Sequence, residues 1–114
     1  MKKLYIYSLF FFIISNSLFA RAPINECDNF AAHPDDPFKV TEGIEWDDLI
    51  ADKAIIACTK AIKEYPNEIR FLFQLGRANL KNENFETSFN ILSKVSKNNY
   101  PIANYLLGLM SYYN

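Results

Sequence analysis

Four stretches with apolar residues three or four apart, proline or asparagine at their ends, and a match between alternate stretches at a spacing near 33 predict an all-α chain. The expected architecture is antiparallel helix-turn-helix repeats of the α-solenoid type, about two units over residues 46–114. An irregular head over residues 21–45 precedes them. Residues 69–101, read as two helices joined by a short polar turn, form the centre of the pattern.

Residues 1–20 differ in kind from the rest. Lys2 and Lys3 give a positive start, residues 4–14 are an apolar run rich in Phe, and residues 15–20 are smaller and more polar. That order is the one a secretory signal peptide needs, and the run is short for a membrane span, which takes about 20 residues. Cleavage after Ala20 is expected, with a mature chain from Arg21 in the periplasm or outside the cell. The competing reading is an uncleaved helix that anchors the chain in the membrane.

Residues 21–45 hold Pro23, Pro34, Pro37 and Gly43, which break regular structure and leave room for one helical turn near residues 27–32. The first long helix is expected from Trp46 or Asp47 to Tyr65. Ile50, Ala54, Cys58, Ala61 and Tyr65 share one face, Asp47 and Asp48 complement the dipole in the first turn, and Pro66 ends it. The second, residues 68–81, is apolar over most of its circumference, so neighbours are expected on two sides. Gly76 within it, which costs about 1 kcal/mol against alanine, marks a close helix crossing. After the turn at residues 81–84 the third helix runs over residues 85–97, and Asn98 and Asn99 suit its end. Pro101 opens the fourth, whose apolar side holds Ile102, Tyr105, Leu106, Leu109, Met110 and Tyr113.

Charge limits the function. From residue 21 onward 10 basic residues face 13 acidic ones, a balance that does not suit a nucleic-acid binder. Residues 26–52 carry nine acids and one base, Lys39, whereas residues 53–114 carry eight bases and four acids. The acidic head either lies against the mildly basic helical body or faces water, and the solvated reading is favoured because charge runs usually face water. Two cysteines, Cys27 and Cys58, in an exported chain suggest one disulfide. A buried thiol pair and a metal site are the alternatives, the latter short of ligands because His33 is the sole histidine.

The repeat emerges on superposing alternate helices. At an offset of 32, Phe73 meets Tyr105, Leu75 meets Leu107 and Gly76 meets Gly108; at 34, Ala54 meets Ser88, Cys58 meets Leu92 and Ala61 meets Val95. Leu72, Leu75, Gly76, Ser88, Leu92 and Val95, with Ala54, Ala61 and Pro66 before them, resemble tetratricopeptide repeat positions. Ala103, Tyr105, Leu107, Gly108 and Met110 resemble the opening of the related Sel-like repeat. The head, with Cys27, Asp28, residues 31–37 and then Ala57 and Cys58, is similar to the start of secreted bacterial Sel-like repeat proteins. Asn79 stands where the pattern usually has a large residue and Ser88 where alanine is common. The resemblance implies a scaffold or adaptor role in the cell envelope, in a short or truncated form, since the chain stops after one helix of the second Sel-like unit.

Catalysis has little support here. The chain has no glycine-rich phosphate loop, nucleophile motif or metalloprotease helix, and no cofactor is expected. His33 beside Asp35 and Asp36 is read as a turn, with a small enzyme or metal protein as the reading it competes against. Phe89 and Tyr105 are expected in the core, and Tyr112 and Tyr113 divide evenly between core and surface. The function expected is non-catalytic protein-protein interaction, with Tyr105, Leu109, Tyr112 and Tyr113 as the partner-binding residues of the last helix. The partner is a protein, a peptide or a second copy of the chain. A membrane-anchored structural protein and a remnant of a longer repeat protein are the alternatives.

Overall fold

The structure, a computed structural model, describes residues 21–113, so the expected signal segment lies outside the described residues. Five α-helices and no strand occur among them: α1 (Glu26–Ala31), α2 (Ala51–Glu64), α3 (Ile69–Lys81), α4 (Phe85–Ser96) and α5 (Pro101–Tyr113). None is long and apolar enough to cross a membrane. Connections of three or four residues join α2 to α5, and each helix packs on the one before it, so each returns along its predecessor. The short α1 lies against both α2 and α3.

Two apolar clusters hold the helices. Cys27, Ala31, Leu49, Ala54, Cys58, Ala61, Phe71 and Ala78 form one, between the head, α2 and α3. Phe73, Leu92, Val95, Tyr100, Ala103, Leu106 and Met110 form the other, between α3, α4 and α5. Thus α3 serves both clusters, which explains its broad apolar circumference. Gly76 lies at the crossing of α3 and α4: a Cβ built there would stand 2.7 Å from Cδ2 of Leu92. Beside it the Ser88 hydroxyl donates to the Gly76 carbonyl at 2.8 Å, a role alanine could not fill. Asn99 adopts the left-handed conformation expected of an asparagine after a helix.

The first long helix begins later than expected. Trp46–Asp48 form a separate 3-10 turn, Leu49 and Ile50 are extended, and Ala51 starts α2. The extended step turns Leu49 into the first cluster and leaves Ile50 exposed, so Ile50 is not on the buried face and Asp47 and Asp48 do not sit in the helix's first turn. Phe89 and Tyr105 are also corrected: they are 51% and 55% exposed. Each follows or precedes a buried neighbour, Ser88 or Leu106, by one residue, a rotation of roughly 100° around the helix.

The head is fastened to the body from end to end. Cys27 and Cys58 form a disulfide, 31 residues apart, and both are fully buried. Asn25 caps α1, accepting from the Cys27 amide at 2.9 Å while its own amide donates to Asp28 at 3.2 Å. The solvated reading of the acidic head fails at two positions, since Asp28 and Asp36 are buried. Arg70 donates to both oxygens of Asp28, at 2.9 and 3.1 Å, and Gln74 adds a bond at 3.0 Å. Asp36 accepts from the hydroxyl of Tyr100, whose ring stacks on Phe73 with centroids 5.0 Å apart. Burial first, and that bond second, push the Tyr100 phenol well above its ordinary pKa. Gly43 closes the head at φ 90°, where a Cβ would fall 2.7 Å from the Pro34 nitrogen, so only glycine fits.

Candidate functional site

An open groove of about 750 Å³ lies between the head and α5. The head contributes His33, Pro34, Asp35, Glu45 and Trp46; the end of α3 contributes Arg77, Leu80 and Lys81. The turn and the start of α4 add Glu83 and Phe85, and α5 adds Tyr105, Leu106, Leu109, Met110 and Tyr113. Three of the four residues expected to bind a partner are therefore brought together. Tyr112 is not: it does not line the groove, is 82% exposed and lies edge-on to Tyr113.

Local chemistry sets the walls. The turn after α3 puts Glu83 at φ 62°, and the Asn84 amide and side chain donate to the carbonyl and side-chain oxygens of Asn79 at 2.9 and 3.1 Å. These bonds give the Asn79 side chain a part in closing the turn, which delivers Phe85 to the groove mouth. Trp46 is held by Lys81, whose ammonium donates to the Trp46 carbonyl at 2.7 Å and stands 5.0 Å from the ring centroid.

Arg77 carries a buried positive charge beside these rings. Its guanidinium donates to the carbonyls of Ala31, Ala32 and Ile44 at 3.2, 2.8 and 2.7 Å, while Nε has no hydrogen-bond partner among the described residues. Burial lowers its pKa to about 10, with Glu45 acting the other way, so it stays charged at neutral pH. Counting side chains, three carboxylates (Asp35, Glu45 and Glu83) and two cations line the groove.

His33 sits in the turn expected of it. Its Nδ1 accepts from the Asp35 amide at 3.0 Å, and its ring meets the Tyr105 ring edge-on at 6.2 Å. Burial first, then the Arg77 charge, lower its pKa below the usual 6.5; Asp35, Asp36 and Glu45 oppose this only in part. Because the unfolded chain then binds the proton more readily than the folded one, stability is whole above pH 6.5 and declines as pH falls through the lowered folded value. Wild-type unfolding midpoints in urea should therefore fall more between pH 7 and 5 than those of His33→Gln. Equal slopes for the two proteins would show that His33 does not couple to folding.

No family model, curated protein or solved structure matches this chain.

Trp46, Arg77, Lys81 and Phe85 escape the sequence reading of the site. Trp46 reads as a helix start, whereas the 3-10 turn presents it to the groove. The polar stripe Arg70, Gln74, Arg77 on a helix with neighbours on two sides was the usable signal. Buried polar groups need polar partners, and the acidic head was the source at hand.

Proposed function

We propose that this chain is a non-catalytic protein-binding module of the helical-repeat type in the bacterial cell envelope, and that its groove takes a peptide segment of a partner protein. The observation that carries the reading is the groove itself. It is concave, lies between two separately built elements, and presents Trp46, Phe85, Tyr105 and Tyr113, each at least partly exposed. Aromatic side chains of this kind concentrate binding energy at interfaces. The three carboxylates and the rings together suit a peptide with basic and apolar side chains.

Burial supports the repeat reading. At the offset of 34, Ala54 and Ser88, Cys58 and Leu92, and Ala61 and Val95 are all buried. At the offset of 32, Phe71 and Ala103, Gln74 and Leu106, and Ala78 and Met110 are likewise buried in pairs, whereas Phe73 and Gly76 are buried and their counterparts Tyr105 and Gly108 are exposed. The disulfide supports an oxidising compartment.

A random-peptide library panned against the oxidised protein is the test. It should enrich basic, apolar sequences, and Trp46→Ala should weaken their binding by about tenfold or more, the loss expected of a central aromatic anchor. A library with no enriched sequence, or enriched peptides indifferent to Trp46→Ala, would overturn the reading.

A further inference from the structure

We propose that His33 makes peptide binding in the groove sensitive to acid, its neutral ring admitting a basic peptide that the protonated ring releases. The inference rests on the groove reading above and adds its regulation.

The turn around His33 carries it. His33 lines the groove from the head, and its ring meets that of Tyr105, which lines it from α5. The Asp35 amide donates to Nδ1 at 3.0 Å and the Asp36 amide to the His33 carbonyl at 3.1 Å, so the imidazole is part of the turn it stands in. A ring nitrogen that accepts carries no proton, which leaves the ring's own hydrogen on Nε2. The second proton must therefore enter at Nδ1, at the lone pair the Asp35 amide already uses. Two N–H groups would then face each other across 3.0 Å, and the ring has to leave its place in the turn. That displacement happens on the groove wall, beside Tyr105.

Charge acts in the same direction. The head brings Asp35, Asp36 and Glu45 near the ring, α3 brings Arg77, and α5 brings the ring of Tyr105 and no charge. Lys81 and Glu83 complete the ionic groups of the groove. With His33 neutral, three carboxylates line the groove against two cations, an excess that attracts a basic peptide; an imidazolium makes it three against three. Burial and then the Arg77 charge oppose protonation, so the change comes below the usual 6.5, in mild acid. Proton and peptide are linked: each weakens the binding of the other by the same factor.

The test uses untagged, oxidised protein, in which His33 is the sole histidine and Trp46, also on the groove, the sole tryptophan. Affinity for a peptide selected at about pH 7.5 is followed down to about pH 5 by Trp46 fluorescence, and the imidazole is titrated by NMR with and without that peptide. The affinity should fall at least about threefold over this range. It should fall by a smaller factor in His33→Asn, whose side-chain oxygen accepts the same amide and takes up no proton. In the wild type His33 should titrate at lower pH with peptide bound than without. An equal fall in the two proteins, or a His33 titration indifferent to peptide, would overturn this inference and leave the groove reading standing. Absence of any binding at about pH 7.5 would overturn both. The NMR titration uses the wild type, so the proposal can fail even if His33→Asn does not fold.

Discussion

Removing the disulfide, by reduction or by the pair Cys27→Ala and Cys58→Ala, is expected to lower the unfolding free energy by about 4 kcal/mol. That figure follows from a separation of 31 residues and the loop entropy released to the unfolded chain. For a domain of this size the melting temperature should fall by roughly 15 to 30 °C. Helix content should change little under native conditions, because α2 to α5 pack on one another without the bridge. The head should loosen, and since His33, Glu45 and Trp46 are groove residues on the head, peptide binding should weaken with it. Urea unfolding of the oxidised and reduced proteins is the measurement, with a larger m-value for the reduced form as its unfolded chain expands. Coincident midpoints would show that the head is held by its polar contacts alone.

Those polar contacts are the part of the fold least legible in the sequence. The helices were legible because their apolar spacing and end residues agree: Pro66, Asn99 and Pro101 punctuate where the spacing changes. The disulfide was legible from cysteine number together with the expectation that the chain is exported. Asp28 was not, since one carboxylate in a run of nine acids carries no mark of burial. Its burial depends on Arg70, which lies 42 residues further along the chain. Tyr100 and Asp36 are 64 residues apart and similarly silent. A charge run reads as solvated when each member is weighed alone, and the pairing that buries two of its members is tertiary.

Rotation about a helix limited the rest. On α5 the difference between Leu106, buried, and Tyr105, exposed, is one residue in a sequence with no charges to mark the outer side. Periodicity on a wholly uncharged helix therefore leaves its orientation open. On α2 the error lay in length, because the apolar spacing continues through Leu49 and Ile50 although the backbone there is extended. A helical pattern predicts a face, and it does not say where the first hydrogen-bonded turn closes.

Asp28→Ala is expected to destabilise the protein by about 3 to 5 kcal/mol, the cost of leaving a buried charge without its partner. Arg70 is 2% exposed and its Nε and Asp28 Oδ1 are 2.9 Å apart, so water cannot replace the carboxylate without opening the head. The loss would also orphan the Gln74 amide and the amide of Asn25 at the start of α1. A solvent-exposed pair would cost at most about 1 kcal/mol, so the size of the effect reports directly on burial. Glu68 cannot substitute, because it reaches a different guanidinium nitrogen of Arg70 and is itself partly exposed. The double variant Asp28→Leu with Arg70→Met removes both charges and should recover part of the loss, as apolar replacements of buried pairs commonly do. It should not restore peptide binding, however. The ion pair is directional and sets where α1 sits on α3, and through α1 it sets the placement of His33 and Trp46 on the groove. Apolar packing at the same place would hold the head without fixing that placement. Urea melts and peptide affinities on the three proteins separate these contributions: stability recovered with binding still lost assigns the pair a positioning role, and binding recovered together with stability reduces it to a fastening.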